Sequence, residues 1–111
     1  MDKFLKIVNN NIPAVQQEFD SYQKKYFPVR SPEFFCLELN GEAGELANFE
    51  KKLWKGKQVN FKSLEDEAAD VFIALINYCN SRKIDLGSAV VKKLEWIDKK
   101  MKFLKENGEE Y

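Results

Sequence analysis

The sequence predicts an all-α protein, a four-helix bundle, and three observations predict it. Apolar residues recur every three to four positions in four separate segments. Each segment opens on residues that cap helices. No stretch alternates polar and apolar residues as a half-buried strand would. The 111 residues read as a single domain, 1–111. With 44% hydrophobic and 32% charged residues, the chain fits a globular protein with a modest core.

The first helix is expected over about 13–27. Asn10 and Asn11 stand before Ile12-Pro13, and proline suits a first helical turn. Val15, Phe19, Tyr22 and Tyr26 then share a helical face, and residues 3–9 read as a short extra turn. Pro28-Val29-Arg30 breaks the pattern. Ser31-Pro32 starts the second helix, 32–54, with Ser31 as N-cap. Gly56 stops it, and 56–62 is a polar loop. Ser63-Leu64-Glu65-Asp66 resembles a capping box, placing the third helix at 64–82. Asp85 caps the fourth, 86–106, which ends near Gly108. Leu86, Val90, Leu94, Ile97, Met101 and Leu104 form its apolar seam. Trp96 and Phe103 lie on the other side, seven residues apart, and predict a partner helix from a second copy of the chain.

Composition excludes much. Eighteen basic residues balance eighteen acidic ones, so no global field favours nucleic acid or an anionic membrane. The longest apolar stretch, Val71–Ile76, is too short to cross a bilayer. Met1-Asp2-Lys3-Phe4 shows no signal-peptide pattern, and the expectation is a cytoplasmic protein. Cys36 and Cys79 sit in apolar helical patterns and read as two buried free thiols. Histidine is absent, which removes His-based nucleophilic sites and nearly all zinc sites. It also removes the Glu-x-x-His motif of di-iron bundles. No glycine-rich phosphate loop and no twelve-residue calcium loop occur. Any catalysis must rest on carboxylates, lysines and a hard metal ion.

The carboxylates are placed unlike those of a solvated helix. At about 100° per residue, Glu38, Glu42, Glu45, Phe49 and Lys52 share one narrow sector of the second helix. Phe35, Leu46 and Leu53 flank that sector, so it should face the core. Gly41 and Gly44 lie beside it, and each disfavours a helix by about 1 kcal/mol relative to alanine. They are expected to admit a close backbone or ligand. The third helix is apolar on nearly every side, as befits the middle of a bundle, yet carries Glu67 and Asp70 three apart. Asn77 and Ser81 continue their stripe. Two core-facing acid pairs make a square of oxygens suited to Mg²⁺, with Mn²⁺ as substitute. In an ideal antiparallel hairpin the pairs miss by about 9 Å, which the loop can absorb.

Leu39-Asn40-Gly41-Glu42-Ala43-Gly44-Glu45-Leu46, followed by Asp66-Glu67-Ala68-Ala69-Asp70-Val71, resembles the E-x-x-E…E-x-x-D signature of the MazG-like all-α nucleoside triphosphate pyrophosphohydrolases. Ile84-Asp85-Leu86 and the lysine-rich last helix add to the resemblance, which covers about residues 34–102. It implies a homodimeric or homotetrameric enzyme that uses Mg²⁺ to cleave (deoxy)nucleoside triphosphates between the α and β phosphates, in nucleotide-pool house-cleaning. It gives Glu42, Glu45, Glu67 and Asp70 the metal-ligand roles. Some members carry a further glutamate where this chain has Gly41, so Glu38, one turn earlier, becomes the candidate for holding or deprotonating water. Lys52, Lys55, Lys93 and Lys100 become candidates for the phosphates, and Asn77 for the substrate. The base would lie between aromatic rings such as Phe19, Tyr22 or Phe27 and Phe34 or Phe35. The last helix departs from the family, with Ile97 or Asp98 where asparagine is usual. Two rivals stand beside this reading. One is a non-enzymatic helical interaction module whose acids pair with lysines. The other is a dedicated dUTP or phosphoribosyl-ATP hydrolase of the same superfamily.

Overall fold

Four helices and no strand make up the chain in the computed structural model, which describes residues 1–111. They are α1 Asp2–Tyr26, α2 Pro32–Trp54, α3 Phe61–Arg82 and α4 Leu86–Glu106. The expected caps of α2 and α4 form. Ser31 Oγ accepts from the Phe34 N–H at 3.2 Å, and Asp85 Oδ1 from the Ser88 N–H at 3.0 Å. Each bond satisfies a donor that the first helical turn leaves open. Gly56, just past α2, takes the left-handed φ of 80° that a helix end favours in glycine.

Two boundaries differ from the sequence reading. α1 is continuous from Asp2, with Pro13 inside it rather than in its first turn. An internal proline removes a backbone bond and strains the preceding turn, a cost of about 3 kcal/mol in an isolated helix. Packing against α4 accompanies it here. Gly87 lies so close to α1 that a Cβ would meet Pro13 Cδ at 3.2 Å and Val8 O at 3.5 Å. The Asn11 side chain also donates to the Ile7 carbonyl at 2.7 Å, within the turn before the proline. α3 begins at Phe61, three residues early, because Asn60 rather than Ser63 is the N-cap. Asn60 Oδ1 accepts from the Lys62 N–H at 2.9 Å. The loop before it is correspondingly shorter than 56–62.

α2 and α3 form the most extensive contact, and they are antiparallel. Arg82 at the end of α3 reaches Glu33 at the start of α2 at 3.3 Å. α1 packs on α3 through Phe19, whose ring meets Phe72 edge-on at 6.2 Å, and α4 packs chiefly on α1. The junction of α1, α3 and α4 is held by a buried glutamine. Gln16 Nε2 donates to the Ile84 carbonyl at 2.8 Å and to Asn80 Oδ1 at 3.2 Å. Gln16 Oε1 accepts from the Leu86 N–H at 2.9 Å, and Asn80 Nδ2 returns to the Gln16 carbonyl at 2.9 Å.

Only 8 of 111 residues are buried. Cys79 is one of them, and burial pushes its thiol pKa up, but Cys36 is exposed, contrary to the expectation of two buried thiols. α3 likewise does not sit fully inside, since Phe72 and Ile73 are exposed. The accessible surface is 8557 Å², about a third above the roughly 6,300 Å² typical of a monomer of 13.0 kDa. The radius of gyration is 17.4 Å, against about 13 Å for a close-packed chain of this length.

Gln16→Ala is expected to lower the unfolding free energy by about 2–4 kcal/mol, because the Leu86 N–H and Ile84 carbonyl lose their partner together. Denaturant unfolding measures this; a change under about 0.5 kcal/mol would show that the glutamine is not the tie between the helices.

Candidate metal centre

Starting α3 at Phe61 rather than Leu64 adds three residues of rise, about 4.5 Å, before Glu67 and Asp70. That halves the mismatch expected between the two acid pairs, and the pairs meet across the α2–α3 interface. Glu42, Glu67 and Asp70 each place a carboxylate oxygen within 4.8 Å of the other two. Glu45, the fourth predicted ligand, is exposed and outside this triad, but its carboxylate acts on Glu67.

Glu42 Oε2 and Glu67 Oε2 are buried and have no hydrogen-bond partner. Burial, then the neighbouring Glu42 and Glu45, push the Glu67 carboxyl up from its ordinary 4.5 to about 7. The chain's ion pairs are Lys24–Asp20, Lys62–Asp66, Arg82–Glu33 and Lys102–Asp98. None of the eighteen basic residues therefore neutralises Glu42, Glu45, Glu67 or Asp70. Asp70, like Glu45, is exposed, so the cluster joins two half-buried carboxylates to two solvent-facing ones, contrary to the expectation of two core-facing pairs. An all-oxygen cluster without a cationic side chain is chemically suited to a hard divalent ion.

A groove runs between the C-terminal half of α1, the start of α2 and α3; none of the four acids lines it, and Glu38 and Ile73 are the lining residues nearest to them in sequence. One part, of about 300 Å³, is lined by Glu38, Ile73, Gln23, Asn77, Phe34 and Phe35 among others. The adjoining part, of about 230 Å³, continues past Asn80 and Ser81. Glu38 and Asn77 thus face one groove, as a shared site requires. Phe27 lines it as well. Tyr22 instead lies against Tyr26 at 5.1 Å and Phe27 at 5.8 Å, and Phe19 is engaged with Phe72 in the α1–α3 contact.

The candidate lysines are dispersed. Lys52 Nζ sits 5.4 Å from the Phe49 ring centre on the acid stripe. Lys55 lines a shallow groove with Ala47, Glu50, Lys51, Leu53 and Trp54, on the opposite side of α2. Lys93 and Lys100 flank the Trp96 ring at 4.8 and 5.9 Å. Nothing in the chain approaches Gly41 or Gly44 within 4 Å of where a Cβ would stand, so the expected close contact is not made there. Sequence reading did not single out Gln16, Gln23 or Asn80. Their spacing held the signal: two glutamines seven apart on α1 and two asparagines three apart on α3.

In metal-free protein, folded Glu67 keeps its proton to about pH 7, whereas an unfolded glutamate loses it near 4.5. Between those values the folded state binds more protons, so stability from this group is present below the lower value and lost as pH rises through the upper one. The melting temperature in chelator is expected to fall from about pH 5 to about pH 8, and Glu67→Gln to flatten that slope. A slope identical in the variant would assign it elsewhere. No family model, curated protein or solved structure matches the chain, so a functional reading rests on the carboxylates and the groove themselves.

Proposed function

We propose that the chain is a Mg²⁺-dependent nucleoside triphosphate pyrophosphohydrolase of MazG-like type. The observation that carries this reading is the pair of buried, partnerless oxygens, Glu42 Oε2 and Glu67 Oε2, within an acid cluster that no basic side chain neutralises. Glu42, Glu67 and Asp70, with Glu45 beside them, would hold the ion, and Mn²⁺ would substitute. Bound there, a divalent cation supplies charge neutralisation for a triphosphate and makes water more acidic. Glu38 faces the groove one turn before Glu42, where it positions the attacking water and accepts its proton. A bond forms from that water to the α phosphorus, the α–β bridging bond breaks, and pyrophosphate leaves with the nucleoside monophosphate remaining. The groove takes the nucleoside, and Lys52 lies nearest the acid stripe in sequence register for the phosphates.

The interaction-module rival pairs these acids with lysines, and none of Glu42, Glu45, Glu67 or Asp70 enters one of the four ion pairs, which favours the metal reading. A protein restricted to dUTP or phosphoribosyl-ATP shares the same centre and differs only in the groove.

The protein is further proposed to work as a homo-oligomer, a dimer or tetramer. Trp96 and Phe103 are 51% and 60% exposed, and Trp54 89%. Covering such faces would remove the excess surface noted above, on the scale of an obligate interface.

With Mg²⁺ and a panel of ribo- and deoxyribonucleoside triphosphates, the expected products are monophosphate and pyrophosphate. Glu45→Gln and Asp70→Asn should each abolish turnover while keeping the helical circular dichroism. Release of orthophosphate and diphosphate would overturn the reaction, and full turnover by either variant would overturn the metal centre. Light scattering at micromolar concentration should give a multiple of 13.0 kDa. Trp96→Asp with Phe103→Asp should shift it to monomer or aggregate. A monodisperse, active wild-type monomer would contradict the oligomer.

A further inference from the structure

The far end of the α2–α3 hairpin carries charge of one sign. Residues 51–62 hold five of the chain's eighteen basic residues and no acid. Lys62 pairs with Asp66 at 3.2 Å, and Lys52 turns over the Phe49 ring at 5.4 Å, on the acid stripe. Lys51, Lys55 and Lys57 enter none of the four ion pairs. The balance of eighteen basic against eighteen acidic residues over the whole chain hides this local excess.

Two aromatic rings stand at the same end. Trp54, the last residue of α2, is 89% exposed, and Phe61, the first of α3, is 69% exposed. Tryptophan is highly buried on average, so an indole left almost wholly in solvent marks a surface that a partner covers. Trp54 lines the shallow groove on α2, of about 770 Å³, with Lys51 and Lys55. Those two lysines are one turn apart, about 6 Å along the axis. That is the scale on which phosphates follow one another in an extended strand. The groove lies on the side of α2 away from the acid stripe, and Trp54 stands nine residues beyond Glu45, about 13.5 Å along the helix. Lys55, expected at the substrate phosphates, belongs to this second surface instead.

The sign of the charge selects an anionic partner. A second copy of the chain presents the same lysines, so tip against tip would repel. A lipid surface takes up apolar residues from an outermost loop, whereas this loop offers Lys57, Gln58 and Asn60, with Val59 half-buried. A nucleic-acid strand supplies phosphates for the lysines and an unstacked base for the indole. We propose that Trp54, with Lys51, Lys55 and Lys57, binds single-stranded nucleic acid without sequence preference. The indole stacks on a base, the lysines follow the backbone, and Phe61 offers a second platform at the same end. This surface is separate from the acid cluster, and the proposal stands or falls independently of the hydrolase reading.

Fluorescence anisotropy of the full-length protein with labelled oligothymidylate and oligouridylate tests it. Chelator is present throughout, so that no cation bridges phosphates to the acids. Either strand should bind with a Kd of about 1–100 µM, and a blunt duplex of equal length at least about tenfold more weakly. Three lysines predict a slope of about −2 for log K against log salt, and Lys51→Gln with Lys57→Gln should bring it to about −0.7. Trp54→Ala should weaken binding about tenfold at every salt concentration and leave the slope unchanged. Lys3→Gln with Lys105→Gln removes the same charge elsewhere and should match the wild type. All these side chains are exposed, and circular dichroism should show unchanged helix in each variant. Absence of binding to either strand, or equal binding of the duplex, would overturn the proposal. Equal weakening by the control pair would reduce the effect to net charge and overturn it as well. Binding to phosphatidylserine vesicles with none to the strands would make the tip a lipid contact instead.

Discussion

Where α2 and α3 pack against each other, carboxylates occupy positions that leucines would fill in an ordinary helical hairpin. Glu42 and Glu67 each bury an oxygen that no protein donor reaches, and Glu45 adds its charge to the same neighbour. Like charges in a desolvated interface repel, and the protein alone has only one answer, which is to keep a proton on Glu67. A divalent cation gives a second answer. The antiparallel register between α2 and α3, closed at its far end by Arg82 and Glu33, brings the acid pairs to one level. The groove, with Glu38 at its edge, lies along the same two helices. The proposed cation binding rests on this one interface, where two buried carboxylate oxygens have no partner within the chain.

α1 completes the groove through polar contacts. The Gln16–Asn80 pair fixes α1 to the α3–α4 turn, and Gly87 lets α4 close on α1 at Pro13. A second amide pair, Gln23 and Asn77, lines the groove and is joined by a single bond of 3.4 Å.

Much of this was legible in the residues. The all-helical class, the Ser31 and Asp85 caps and the part-buried placement of Glu42 and Glu67 follow from spacing, whereas Asp70 and Glu45, expected to face the core, are exposed. Local signals misled where tertiary contacts decide. Pro13 resembles a helix start, yet α4 packs against it inside a longer helix. Ser63 resembles a cap, but Asn60 bonds first and lengthens α3 by the turn that aligns the acids. The glycines at 41 and 44 fall beside the acid stripe without a contact within the chain, whereas Gly87, which nothing in the local pattern marked, is the one packed tightly against a neighbouring helix. Cys36 belongs to an apolar pattern yet is exposed, as is Leu37 beside it. Periodicity shows which residues share a face and leaves open what covers it.

The central claim is that the acids between α2 and α3 form a cation site. Electron paramagnetic resonance during Mn²⁺ titration tests it without recourse to turnover. Wild-type protein should bind Mn²⁺ saturably, Glu67→Gln should bind at least about tenfold more weakly, and Glu50→Gln, on the outer face of α2, should match the wild type. Binding that is absent from the wild type, or unaltered by Glu67→Gln, would contradict the account.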